Sequence, residues 1–156
     1  MEQNIVEKVR KHLVETKGYP DPSCSDNYDD NGLVMYAQDQ YKKNPELYQK
    51  NGNGLMNHSS KNSKNIWTDK ANDGKPEFII LSEKNNLAIV IECKDKKKDL
   101  SSEYLIKENL LVKTNDVIKN FATDGALHYA KFLTVNYDVI AIGVCESKGE
   151  LISTTY

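Results

Sequence analysis

The stretch GKPEFIILSEKNNLAIVIECKDKKKDL (residues 74–100) contains two apolar runs separated by a polar segment. The runs Glu77–Leu81 and Leu87–Cys93 are rich in β-branched residues, and the connection Ser82–Asn86 ends in two asparagines. Two such runs with an Asn-rich joint predict an antiparallel β-hairpin. This hairpin fixes the expected fold, because the rest of the chain must cover its two faces.

Three charged side chains fall at one end of this hairpin. Glu77 opens the first strand, and Glu92 and Lys94 close the second. Because successive side chains of a strand point to opposite faces, Glu92 and Lys94 share a face and Cys93 takes the other. Charges this close to a core need a partner or a metal ion, and carboxylate oxygens suit Mg²⁺. We therefore expect two carboxylates and an ammonium to converge at one edge of the sheet.

The pattern outside the hairpin predicts a mixed α/β core. A helix between the hairpin and a later apolar strand would make a right-handed parallel crossover. The predicted elements are an amphipathic helix 2–16 stopped by Gly18 and Pro20, a partly helical segment 33–49, a flexible connection 51–65 with room for one short strand, a polar loop 96–114, a helix 115–133, a buried strand 137–145 and a short strand 151–155.

Length and composition fit one soluble domain. The chain has 156 residues, of which 38% are hydrophobic and 28% charged, and its net charge is -2. A protein that only coats nucleic acid is usually basic, but acidic metal sites can offset basic patches, so the charge leaves the partner open. The first residues are not a signal peptide. The three cysteines are widely separated without metal-ligand spacing, which indicates reduced thiols in a cytoplasmic protein.

Pro76-Glu77 followed by Glu92-Cys93-Lys94 resembles the motif of the PD-(D/E)XK nuclease superfamily. The segments GKPEFII (74–80), IECK (91–94), FATDGALHYAKFL (121–133) and YDVIAIGV (137–144) are similar to restriction endonuclease domains. The likeness is strongest to the N-terminal endonuclease domains of type IIG and type I-like restriction enzymes. It covers about residues 74–147 and, loosely, the first helix. It implies a restriction-endonuclease-like mixed sheet core, α-β-β-β-α-β, flanked by helices, in a single nuclease domain 1–156 that is part of a longer enzyme.

The function implied by the resemblance is cleavage of double-stranded DNA. Hydrolysis of the phosphodiester bond would use metal-activated water, with Mg²⁺ as the cofactor and Mn²⁺ as a substitute. The expected partners are methyltransferase, target-recognition or helicase domains in the same chain or complex, with a dimer during double-strand cleavage and no membrane. Two alternatives stay open: a catalytically impaired nuclease-like module that binds DNA or protein, and a structural interaction domain.

The resemblance assigns roles to individual residues. Glu92 matches the second acidic metal ligand and Lys94 the catalytic lysine. Glu77 matches the first acidic ligand, where the family usually has Asp. Glu7 resembles the acidic metal ligand of the first helix, with Glu2 as the competing residue.

The second helix and the lysine run supply further candidates. Asp124, His128 and Lys131 share one helix face by their spacing. His128 would occupy the position of a polar, usually Gln, catalytic residue, although such a histidine is more often an ordinary buried helix residue. Lys96, Lys97, Lys98 and Lys131 are the candidate DNA contacts, through sequence-independent binding to phosphates; for the run 96–98, a solvated loop is an equally good interpretation.

Overall fold

The computed structural model describes residues 2–24, 32–38, 76–82, 84–110, 114–134 and 137–156. The predicted connection 51–65 lies outside these residues. The helices are α1 (Glu2–Lys11, continued by a π-helical turn His12–Thr16), α2 (Glu103–Glu108), α3 (Asn115–Asn120) and α4 (Ala122–Leu133). The strands are β1 (Leu33–Ala37), β2 (Phe78–Ser82), β3 (Leu87–Lys94), β4 (Asp138–Ser147) and β5 (Glu150–Thr155), and a 3₁₀ turn spans Lys97–Asp99.

These strands form one mixed sheet in the order β1-β2-β3-β4-β5. β2 and β3 pair antiparallel, which confirms the predicted hairpin, and Ser82 pairs with Leu87, so the connection begins one residue later than expected. β3 and β4 run parallel and are joined through the helices, as the crossover prediction required. The outer strands β1 and β5 are antiparallel to their neighbours.

Helices cover both faces of the sheet. On one face, Ile5, Val9 and Leu13 of α1 repeat at four-residue spacing and pack with β-strand side chains that include Phe78 and Cys93. Cys93 is fully buried there, as predicted for a small core side chain. On the other face, α3 and α4 pack against the alternate residues of the same strands. That second cluster comprises Val34, Tyr36, Ile79, Leu81, Ala88, Val90, Ile118, Ala126, Tyr129, Ala130, Leu133 and Ala141.

The prediction of partial helix after residue 33 is wrong for residues 33–37. These residues form β1, which pairs with β2 from Leu33↔Ser82 to Ala37↔Phe78. Val34 and Tyr36 contribute to one core cluster and Met35 to the other, so this short run is buried on both faces. Its strand conformation follows from pairing with the edge of β2, which outweighs local preference.

The predicted single helix 115–133 is two helices. Phe121 is extended (φ −119°, ψ 128°) and separates α3 from α4. The backbone N–H of Thr123 donates to the carbonyl of Leu100 at 2.8 Å, instead of continuing the helical ladder. The hydrogen bond thus satisfies a donor in the first turn of α4, and the polar segment 96–114 that supplies its acceptor contains the 3₁₀ turn and α2.

Candidate active site

Two glutamates meet where the hairpin strands end. Glu77 immediately precedes β2, and since Phe78 pairs with Ile91, Glu77 lies across from Glu92 on β3. Both residues are buried, with 8% of Glu77 and 6% of Glu92 exposed. The backbone N–H of Cys93 approaches Oε2 of Glu77 at 3.5 Å. The hairpin thus brings together two of the residues that the sequence singled out.

Burial makes this carboxylate pair hold a proton. Loss of hydration raises the pKa of Glu77 to about 10, and the negative charge of the nearby Glu92 adds to the shift. Lys94 acts in the opposite direction but does not cancel these effects. At neutral pH, Glu77 is therefore protonated in the cation-free chain.

Lys94 lies on the same face as Glu92, as the strand period predicted. Its Nζ is 2.9 Å from Oε1 of Glu92, and only 15% of its side chain is exposed. Oε2 of Glu92 is buried and has no hydrogen-bond partner in the part of the chain that the structure describes. A buried carboxylate oxygen is costly unless a donor or a cation meets it.

The donor set suits a small divalent cation. Two adjacent carboxylates, one with an unpartnered buried oxygen, match the oxygen ligands and partial protein coordination that Mg²⁺ prefers. Glu77 and Glu92 are the residues that fit Mg²⁺. Over the described ranges, no three His, Cys, Asp or Glu side chains form a group that could hold a metal.

Two glycines let α4 lie directly against the glutamate strand. A Cβ on Gly125 would lie 3.1 Å from Cγ of Glu92 and 3.0 Å from the carbonyl oxygen of Ile118. A Cβ on Gly143, the β4 neighbour of Glu92, would lie 2.7 Å from Cα of Thr123. Sequence reasoning passed over both positions, although an isolated glycine inside a helix or a strand is a signal of close approach.

A group of hydrogen bonds joins the first turn of α4 to the segment after β3. Asp124 accepts from the backbone N–H of Ser102 at 2.8 Å and from its hydroxyl at 2.7 Å. Oγ of Ser101 donates to Oγ1 of Thr123 at 2.8 Å. The helix face of Asp124 was predicted from its spacing, but Ser101, Ser102 and Thr123 belong to no sequence motif that would have indicated these hydrogen bonds.

The predicted lysine contacts are separated from one another. Lys96, Lys97 and Lys98 are exposed and follow β3 directly, next to the strand end that carries Glu92. Lys131 lies in the last turn of α4, whereas the turn that contacts Glu92 is the first. The lysine run therefore follows the strand end that carries Glu92, whereas Lys131 lies about 9 Å further along the helix from Gly125.

His128 is fully buried within α4. Its ring makes an edge contact with that of Tyr129, with 6.0 Å between centroids. It lies about one helical turn beyond Gly125, the residue that contacts Glu92. This position gives the imidazole a packing role in α4, and its catalytic role remains a prediction.

Glu7 is not brought to the carboxylate pair. Its side chain is 62% exposed and forms an ion pair with Arg10 at 2.7 Å. Arg10 also binds Asp21 at 2.8 Å, which ties α1 to the segment that follows it. The hydrogen bond from Arg10 lowers the pKa of Glu7. In this arrangement Glu7 serves a surface charge cluster of α1, on the sheet face opposite to α4.

Comparison with known proteins gives no relative for this chain. No family model, curated protein or solved structure matches it. Among the described helices, none is long and apolar enough to cross a membrane. The function must therefore be argued from the fold and the site.

Proposed function

We propose that this chain is a Mg²⁺-dependent DNA endonuclease module with a restriction-endonuclease-like core. One observation carries the proposal: Glu77, Glu92 and Lys94 gather at the ends of two adjacent strands, in the order of the PD-(D/E)XK motif. The element order α1, β1, β2, β3, α4, β4 supports it, since it follows the α-β-β-β-α-β pattern. The wider restriction enzyme, with its recognition or helicase domains and a dimer during cleavage, belongs to the same proposal.

Glu77 and Glu92 would hold the cation. Oε2 of Glu92 is available for it, and Glu77 must give up its proton before it can bind. When bound, Mg²⁺ would supply positive charge that stabilises the phosphate and makes an attacking water more acidic.

Lys94 would act on the attacking water. Its ammonium is held by Oε1 of Glu92, so the strand fixes where the charge lies. From there it would orient the water, which would lose its proton to solvent as it attacks phosphorus. The bond from phosphorus to the 3′-oxygen would break, and that oxygen would take up a proton from solvent, which gives a 5′-phosphate and a 3′-hydroxyl. The exposed lysines 96–98 would bind the neighbouring phosphates.

The test is nicking of supercoiled plasmid by the whole chain in Mg²⁺ and in Mn²⁺. We expect Lys94→Ala to slow cleavage by about 10²–10⁴-fold, the usual contribution of a group that assists proton transfer. Glu92→Gln should abolish cleavage, because it removes one of two carboxylates at little change in volume. Lys84→Ala, an exposed lysine beyond the opposite end of β3, is the matched control and should cut at the parental rate.

Two results would reject the proposal as stated. Cleavage by Lys94→Ala at the parental rate would remove the lysine from the chemistry. A parent that binds DNA and Mg²⁺ but cuts in neither metal would instead be the catalytically impaired binding module.

A further inference from the structure

Residues 100–102 are fastened to the first turn of α4 by several hydrogen bonds. Asp124 accepts two of them from Ser102, and the Thr123 N–H donates to the Leu100 carbonyl. The Ser102 hydroxyl also accepts from the N–H of Leu105, so it caps α2 while donating to Asp124. We call the Ser102–Asp124 pair the latch.

The latch is a buried contact. Ser102 is 1% exposed and Asp124 is fully buried. Asp124 occupies the third position of α4, where the partial positive charge of the helix N-terminus favours a carboxylate. Both hydrogen bonds from Ser102 are short, at 2.8 Å and 2.7 Å. Opening the contact would leave buried polar groups without partners, so it resists opening.

The lysine run lies between two fixed points. Lys94 belongs to β3 and is bound to Glu92, and Ser102 is held by the latch. Between them the 3₁₀ turn is closed by hydrogen bonds from Asp99 to the Lys96 carbonyl at 2.8 Å and from Leu100 to the Lys97 carbonyl at 3.1 Å. The first turn of α4 that holds the latch also contacts Glu92 through Gly125.

We propose that Asp124 is a positioning residue that fixes the segment of Lys96, Lys97 and Lys98 after the end of β3, so that these exposed lysines bind DNA phosphates next to the bond being cut. This inference rests on the proposed function, since it assumes that DNA is the ligand. Asp124 contacts neither the carboxylates nor the lysines directly; it acts through Ser102. Its removal should therefore weaken DNA binding while the metal ligands stay in place.

The experiment is a double-mutant cycle on DNA affinity, measured by fluorescence anisotropy with a labelled duplex and EDTA to prevent cleavage. Asp124→Asn keeps the side-chain volume but can accept only one of the two hydrogen bonds, and we expect about fivefold weaker binding. The triple change Lys96→Ala, Lys97→Ala, Lys98→Ala should reduce the slope of log affinity against log salt by about 0.9 for each phosphate that is no longer neutralised. Adding Asp124→Asn to the triple variant should cost almost nothing further, because both changes act on the same lysine–phosphate interactions.

Controls separate positioning from loss of fold. In the Lys84→Ala background, Asp124→Asn should keep its full effect on DNA affinity, and Mg²⁺ affinity should stay near the parental value. Thermal melting verifies that the variants fold. If Asp124→Asn does not fold, Ser102→Ala, which removes only the hydroxyl contact, replaces it in the double-mutant cycle.

Three outcomes overturn the inference. In the first, Asp124→Asn weakens DNA binding as much in the Lys96→Ala, Lys97→Ala, Lys98→Ala variant as in the parent. In the second, Asp124→Asn also lowers Mg²⁺ affinity, and in the third the parent binds no DNA. The proposed catalysis is decided separately, by cleavage and metal binding of the Glu92 variant. If the parent binds DNA without cutting it, the proposed catalysis is rejected, and the double-mutant cycle on DNA affinity still tests the role of Asp124.

Discussion

Glu77 stands where the PD-(D/E)XK motif that the sequence resembles usually has aspartate, and glutamate is longer by one methylene group. Its carboxyl group is buried across from Glu92, and loss of hydration together with the nearby charge of Glu92 raises the pKa of Glu77 to about 10. In the cation-free chain the unfolded state binds fewer protons than the folded state above about pH 4.5, so stability falls as pH rises from there towards 10. The pair is therefore a destabilising feature at neutral pH that a divalent cation would relieve.

Shortening this side chain tests its role as a ligand. We expect Glu77→Asp to increase Mg²⁺-dependent cleavage by up to about a hundredfold, because a positioning error of about 1 Å can cost that much. Mn²⁺ should narrow the difference between Glu and Asp, and Glu77→Ala should eliminate activity. The measurement is plasmid nicking at matched enzyme concentration. If Glu77→Ala cuts as well as the parent in both metals, Glu77 is not a ligand.

At the scale of elements, the sequence predicted the helices and strands that can be recognised from their own residues alone. The hairpin strands and β4 are apolar runs rich in β-branched residues, and α1 has helix periodicity; the structure confirms all of them. β1 could not be identified, because a five-residue apolar run fits a strand or a buried helix equally well until its partner is known. The break at Phe121 is likewise invisible in the sequence, since it is accompanied by a tertiary contact, the Thr123 hydrogen bond to Leu100.

The close approach of α4 to β3 gives a prediction at this scale. An alanine is usually better than glycine inside a helix by about 1 kcal/mol. At Gly125, however, the added methyl meets the Ile118 carbonyl and the anchored side chain of Glu92 at 3.0–3.1 Å. Crowding of this kind costs about 1–3 kcal/mol. We therefore expect Gly125→Ala to lower both the free energy of unfolding and Mg²⁺ affinity.

Urea denaturation and metal titration of Gly125→Ala measure these two effects. Lys119→Ala on the exposed side of α3 is the control, and its stability should stay within about 0.5 kcal/mol of the parent. A more stable Gly125→Ala protein with unchanged Mg²⁺ affinity would show that α4 can move away from Glu92 without consequence.

At the scale of the whole molecule, the site divides into a part fixed by the sheet and a part fixed by helix placement. Glu77, Glu92 and Lys94 could be predicted together because strand register determines their neighbours. Glu7 and Lys131 could not be placed, since the side of the sheet that a helix covers and the direction in which it runs are tertiary properties. The latch depends on those same properties, which is why only the structure discloses it.

Isothermal titration of Mg²⁺ into the parent and into Glu92→Gln tests whether Glu77 and Glu92 form one divalent-cation site. We expect one Mg²⁺ per parent chain, with proton release on binding and tighter binding at pH 8 than at pH 6, because the raised pKa of Glu77 makes protons compete with the metal. Glu92→Gln should show no binding at that site. A parent that takes up no Mg²⁺ at millimolar concentration, or a Glu92→Gln protein that binds it equally well, would show that the two glutamates do not form a cation site.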